Sequence, residues 1–192
     1  LEGFKLKNYK ELFYNMEELF LPRTDFENYQ DFFENYKINV PDNFNFSYDV
    51  MDALAEKSPD ARAILWTNDE GLEKEFTFKD IKERTDKTAS FFQACGINKG
   101  DFVMLILQRR YEFWLSILAL HKLGAAVIPA THMLTKEDIV YRNNAANIKA
   151  IVAVNDGDIL SHVDSSLPES PSLKIRIAAN PHGLDVPNGE SF

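Results

Sequence analysis

Three short polar stretches carry the residue types that could bind or react: Gln108-Arg109-Arg110, residues 130–134 with Thr131, His132 and Met133, and Asn155-Asp156-Gly157-Asp158. Arg109 and Arg110 precede a segment predicted to be helical, where unpaired N–H groups favour an anion and a guanidinium adds charge-assisted hydrogen bonds to phosphate. Arg109 is therefore the candidate phosphate contact, while pairing with nearby acids such as Glu112 is the competing and favoured use of these arginines. His132 carries an imidazole, the side chain most often used as a general acid or base. No carboxylate at fixed spacing orients it, which favours a surface or packing role. Asp156, Asp158 and Asp164 could attract a divalent cation. The spacing of a calcium loop is absent, however, and acids at a helix start account for them. No catalytic residue and no metal ligand are assigned.

The glycines narrow the chemistry further. They stand at 3, 71, 96, 100, 124, 157, 183 and 189, so no Gly-rich cradle of the dinucleotide or nucleoside-triphosphate type is present. A nucleophile elbow of the Gly-x-Ser-x-Gly kind and a His-Glu-x-x-His helix are also missing from the sequence. Cys95, the one cysteine, cannot form an internal disulfide and reads as a small buried apolar side chain at a helix end.

The elements that would position these loops follow from periodicity. Ser47 is predicted to cap a helix through Val50, Met51, Leu54 and Ala55 that Ser58-Pro59 stops. Residues 61–67 and 72–77 form a hairpin around Asn68-Asp69-Glu70-Gly71. Thr77 caps a long helix with Asp80 in its first turn, and Gly96 ends it. Strands are expected at 101–107, 125–129, 149–154 and 173–178, alternating with helices at 111–123, 135–147 and 158–166. Strands apolar on both faces and alternating with helices imply a largely parallel sheet covered on both sides, that is, an α/β, doubly wound, Rossmann-like layer. In such a sheet ligands sit outside the carboxyl ends of the strands, where the three polar loops fall.

Residues 1–46 differ from the rest. They hold twelve of the chain's 24 aromatic side chains. Tyr29, Phe32, Phe33 and Tyr36 recur at helical spacing, predicting a helical arm, split at Pro22, with an apolar face that needs something to lie on. Packing within its own domain is favoured over a surface shared with another domain or chain. The organisation expected is thus a helical extension over 1–46, an α/β subdomain over 47–179 and a loose tail over 180–192.

A net charge of −9 argues against nucleic acid as a partner. No apolar run approaches the roughly 20 residues that span a bilayer, and the best, 113–120, is broken by Ser116. The chain starts Leu-Glu-Gly-Phe, without the basic and apolar segments of a secretory signal, so a cytoplasmic location is expected.

Several segments in series resemble the adenylate-forming ligases. The stretch Leu120-His121-Lys122-Leu123-Gly124-Ala125-Ala126-Val127-Ile128-Pro129 is similar to the family's Leu-Lys-Ala-Gly-x-Ala-Tyr-Val-Pro pattern, with Lys122, Gly124, Ala126 and Pro129 in register. Phe76-Thr77-Phe78-Lys79-Asp80-Ile81 resembles Leu-Thr-Tyr-x-Glu-Leu, and 96–101 resembles the Gly-x-x-x-Gly-Asp turn that follows it. Arg109, Glu112, Trp114 and 138–142 are similar to the medium-chain acyl-CoA synthetase branch. The resemblance runs from about residue 44 to 177. It implies a parent enzyme that joins a carboxylic acid to AMP using ATP and Mg2+, then transfers the acyl group to coenzyme A. It also implies that the family's phosphate loop, adenine-binding segment and catalytic lysine lie later than residue 192. This chain would then be the amino-terminal portion of such a ligase, inactive alone, binding none of these cofactors tightly, partnered with the remainder of the ligase and prone to form homo-oligomers. The loop after Pro129 would border the coenzyme A channel, with Thr131 and Met133 as contacts. Met133 stands where relatives carry a more polar residue. Acids of medium chain or branched short chain are the expected substrates, with acetate or aromatic acids as the alternative. An independent binding module is the other reading.

Overall fold

The aromatic spacing near residue 30 does form a helix, α1 (Tyr29–Asn35), in a computed structural model that describes residues 20–179. The chain divides into two compact units, 1–45 and 46–192, and each is described by itself. In the first, the Asn28 side chain accepts a hydrogen bond from the Asp31 N–H and caps α1. The expected buried face is not found, because no residue of α1 is buried. Instead the rings of Phe26, Phe32 and Tyr36 pack on one another at 4.9 to 6.3 Å between centroids. Aromatic pairs gain from edge and offset contacts, so a small cluster satisfies the pattern without a deep core. Most of the helix expected before Pro22 and the tail over 180–192 lie outside the described residues.

The second unit begins with a π-helical turn, Phe46–Asp52, running into α2 (Ala53–Lys57). Ser47 was expected as an N-cap and instead lies inside this turn. Its hydroxyl is buried and donates to the Leu118 carbonyl oxygen at 2.8 Å, a distant partner that outcompetes the local cap. Strands β1 (Arg62–Thr67) and β2 (Glu73–Thr77) pair antiparallel as the hairpin. Asn68 closes it, its side-chain oxygen accepting from the Glu70 and Leu72 N–H groups.

Helix α3 (Phe78–Ala94) opens with a reciprocal capping box. The Thr77 hydroxyl accepts from the Asp80 N–H while the Asp80 carboxylate accepts from the Thr77 N–H, which satisfies two donors the helix leaves unpaired. Hydrogen bonding from Thr77 holds the Asp80 carboxyl below the ordinary carboxylate range. Ile81, Thr85, Thr88, Ala89 and Phe92 form the buried stripe, whereas Cys95, expected to be buried, is half-buried at the C-cap.

Next come β3 (Phe102–Ile106), α4 (Tyr111–Leu123), β4 (Ala126–Pro129), α5 (Lys136–Ala146), β5 (Ala150–Val154), α6 (Ile159–Ser166) and β6 (Ile175–Ala179). The four strands form one parallel sheet in the order β4-β3-β5-β6. Because side chains alternate across a strand, β3 and β5 split their residues between two cores. Val103, Leu105, Ala150 and Val152 meet Phe92 of α3 and Ala119 and Leu120 of α4 on one face. Met104, Ile106, Ile151 and Ala153 meet Ile139 of α5 and Ile159 and Val163 of α6 on the other. Each Val, Leu, Ile, Met or Phe among them contributes about 1.5–3 kcal/mol by leaving water, so each helical layer has its own apolar hold on the sheet. The sheet is thus parallel and covered on both faces, as the alternation predicts.

Helix α4 ends where Gly124 adopts φ 68°, and a Cβ there would stand 3.0 Å from Lys99 Cγ. Its last turn carries Lys122, whose side chain is 3% exposed and pairs with Asp52 at 2.8 Å and with Asp86 of α3. Burial alone would push the Asp86 carboxyl up, but hydrogen bonds from Lys122 and Lys82 outweigh it and hold the group below its usual range. One cation therefore ties the π-helical turn, α3 and α4 together.

Candidate functional site

Strand order places the site. From β3 the chain crosses to β4 on one side, then returns past β3 to β5 on the other, so the winding direction reverses between β3 and β5. Crossovers that leave in opposite directions open a crevice at the carboxyl ends of the two strands. A cavity of about 300 Å³ lies here, lined by Gln108 after β3, His132 and Met133 after β4, Asp156 and Asp158 after β5, and His162 of α6.

Each wall has a local cause. Gln108 takes φ 52°, a left-handed conformation costly for a residue with a Cβ, and its side-chain amide donates to the Asp156 carboxylate at 3.2 Å. That hydrogen bond links the loops on either side of the reversal. His162 Nδ1 lies 2.9 Å from the Leu134 carbonyl oxygen. A carbonyl can only accept, so the ring donates from Nδ1, which leaves Nε2 of the neutral ring as an acceptor. The backbone N–H of Met133 donates to the Thr131 hydroxyl at 3.3 Å and shapes the loop, while the Met133 side chain is 75% exposed. Thr135 and Asp138 form a second capping box that starts α5 and fixes the far end of the loop.

The structure brings only some of the predicted residues together. Met133, His132, Asp156 and Asp158 line the crevice; Thr131 and Arg109 are exposed and lie outside its lining. The Arg109 backbone carbonyl accepts from Trp66 Nε1 at 2.8 Å. Its neighbour Arg110 pairs with buried Glu112 at 2.8 Å, the acid pairing favoured from sequence. Asp164 is turned to Arg176 and does not join Asp156 and Asp158. Sequence reasoning named Gln108 only as part of its loop, with no role of its own, and missed His162. A glutamine ending an apolar strand gives no sign of positive φ, and His162 is visible only as a polar residue on a helix beside the third loop.

The donor set offers an amide, two imidazoles and two carboxylates. It suits a polar ligand with hydrogen-bond donors and is poorly matched to a triphosphate, whose charge the carboxylates would oppose. Glycines with positive φ at 71, 96, 100, 124 and 157 each serve a separate turn and build no cradle. Among the described residues no group of three or more His, Cys, Asp or Glu is placed to hold a metal ion. The described residues thus do not fit ATP or Mg2+, while the loop over 130–134 can form one wall of a channel.

Comparison with known proteins agrees with this architecture. The family model described as AMP-binding enzyme matches residues 51–190. The chain is 38% identical over 145 residues to the mitochondrial acyl-coenzyme A synthetase ACSM5 of Rattus norvegicus, covering 72% of this chain and 25% of that protein. It is likewise 38% identical over 152 residues to the mitochondrial acyl-coenzyme A synthetase ACSM4 of Mus musculus, covering 76% and 26%. The chain therefore spans about a quarter of the length of these curated relatives. The acetoacetyl-CoA synthetase from Streptomyces lividans superposes with a TM-score of 0.66 at 18% identity, over 76% of this chain and 24% of that one. A Mycobacterium tuberculosis fatty acyl CoA synthetase does so with a TM-score of 0.63 at 19% identity, over 70% and 26%. Those two likenesses establish the fold; the matched residues and the identities to the curated synthetases establish that the chain belongs to the AMP-binding enzyme family.

Proposed function

We propose that this chain is the amino-terminal part of an acid–CoA ligase that activates a medium-chain or branched short-chain carboxylic acid as its adenylate with ATP and Mg2+, then transfers the acyl group to coenzyme A. The supporting observation is its likeness to acyl-coenzyme A synthetases over about three quarters of its own length and about a quarter of theirs. In this reading residues 47–179 form the α/β subdomain of the ligase, 1–46 a helical extension and 180–192 a tail. The chain alone is catalytically silent, because the residues described here supply neither a phosphate cradle nor a metal cluster. Its partner is the remainder of the ligase.

The loop at 130–134 borders the coenzyme A channel, with Thr131 and Met133 as contacts and Arg109 available to a phosphate. Exposed Met133 offers a flexible thioether surface for the apolar arm of the coenzyme. Among the described residues no helix is long and apolar enough to cross a membrane. The cytoplasm remains the compartment proposed, and the mitochondrial designation of the relatives names the rival, which fractionation of cells carrying the tagged protein decides.

Acid-dependent exchange of pyrophosphate into ATP tests the central claim. The 192-residue chain is expected to give none, and exchange by it alone overturns the claim of silence. In a ligase containing this chain, Met133→Asp is expected to raise KM for coenzyme A by about tenfold while leaving acid-dependent exchange unchanged. An unchanged KM removes Met133 from the channel.

A further inference from the structure

A second cavity, of about 380 Å³, shares no lining residue with the crevice; it lies where the hairpin meets α3 and the start of α4 and is lined by Lys74, Glu75, Phe76, Asp80, Arg84 and Tyr111. Phe76 and Tyr111 make its floor, 5% and 8% exposed, with ring centroids 5.0 Å apart. Two cations stand over that floor. Lys74 Nζ is 4.9 Å from the Tyr111 ring centroid and donates to the phenol oxygen at 3.2 Å, while the Arg84 guanidinium is 5.2 Å from the Phe76 centroid.

The two carboxylates of the cavity are committed elsewhere. Glu75 pairs with Arg62 at 3.0 Å, and Asp80 accepts from the Thr77 N–H at 2.9 Å and from its hydroxyl at 2.8 Å. Asp80 attracts Arg84 only at longer range. Among the described residues neither Lys74 nor Arg84 has a carboxylate within 4 Å. Ring faces hold a cation in place by their quadrupole but do not replace an oxygen acceptor, so most of the N–H donors of this pair point to no anion. Two oriented cations over a buried aromatic floor, with neighbouring acids already engaged, are what an oxyanion needs.

We infer that this cavity binds the carboxylate or phosphate group of a small molecule between Lys74 and Arg84, with any apolar body against Phe76 and Tyr111. The site is separate from the switch-point crevice and does not depend on the ligase reading. The test is NMR of the isotope-labelled 192-residue chain at constant ionic strength, following the Arg84 side-chain N–H and the amides of Lys74, Phe76 and Tyr111. Inorganic phosphate, acetate and benzoate are titrated separately. Saturable shifts at these positions are expected: with phosphate alone they assign a phosphate ligand, and with acetate or benzoate a carboxylate. Lys74→Met and Arg84→Gln are each expected to weaken binding about tenfold, and Arg84→Lys to retain most of it. Arg84 is exposed on α3, so its variants decide the matter even if Lys74→Met fails to fold. Shifts that stay linear for all three anions, or saturable binding that Arg84→Gln leaves unchanged, overturn the inference.

Discussion

The two ends of the parallel sheet are built differently. At the amino end, polar groups stitch the strands: Lys149 Nζ reaches Asp101 at 2.7 Å and donates to the Gly96 carbonyl at 2.9 Å, the Asn98 N–H donates to the Asp101 carboxylate at 2.7 Å, and the Gly100 N–H donates to the Gly124 carbonyl at 2.9 Å. Lys122, in the last turn of α4, lies at this end too and holds Asp52 of the π-helical turn and Asp86 of α3. At the carboxyl end the crevice is bridged by one hydrogen bond from Gln108 to Asp156 and one from His162 to Leu134, with Met133 standing in solvent. One end spends its polar residues on order and the other leaves them facing a cavity. That division is how a doubly wound sheet keeps a stable scaffold beside a site free to vary.

Substitutions at the two ends should separate accordingly. Lys122→Met leaves Asp52 and Asp86 with only the more exposed Lys82 as counter-ion and is expected to cost about 2–3 kcal/mol, below the range for a fully buried pair because Asp86 is partly exposed. Gly124→Ala, forced to φ 68° and against Lys99, should cost about 1–2 kcal/mol. At the crevice, Gln108→Gly relieves a left-handed glutamine and should stabilise by up to about 1 kcal/mol, despite losing the contact to Asp156. Met133→Ala should stay within about 0.5 kcal/mol of the parent. Urea midpoints on the same preparation rank all four, and a crevice substitution costing more than Lys122→Met would break the comparison.

Acid gives a further test, in which Lys122→Met separates the amino end from the other depressed carboxylates, Asp80 and Asp138 among them. Burial pushes Asp101 and Asp86 up, but hydrogen bonds from Lys149 and from Lys122 and Lys82 leave both below their ordinary value of 3.8. A carboxylate depressed in the folded state contributes stability that is fully present above the unfolded value and is lost as pH falls through the folded one. The urea midpoint should therefore hold on acidification to about pH 4–5 and fall below it. Lys122→Met should show a shallower fall. An equal fall in parent and variant would mean that Asp86 carries none of the acid response.

The parts legible in the sequence were those set by local chemistry. Thr77 with Asp80 marked the start of α3, the helix expected over 111–123 is α4 to the residue, and the apolar run expected as a strand over 149–154 is buried throughout from 150 to 154. What escaped depended on distant partners. Ser47 looks like a cap until Leu118 presents a carbonyl 71 residues away. Lys122 counted as a motif residue, although a lysine in so apolar a helix already required buried acids to meet it. The three polar loops do follow the strand carboxyl ends, as their place in the sequence implied, yet only the strand order showed which two loops face each other across the reversal.

Pro129 at the end of β4 has a consequence for the growth of the sheet. The N–H groups of Ala126 and Ala130 point toward β3, donating to Asp101 and Leu105, so alternation turns the nitrogens of Val127 and Pro129 outward. Proline has no hydrogen to give, which leaves Val127 as the outward donor of this strand. A further strand would therefore find a poorer template along the outer side of β4, where one of the donors its ladder needs is missing. Pro129 blunts that margin of the sheet against edge-to-edge growth.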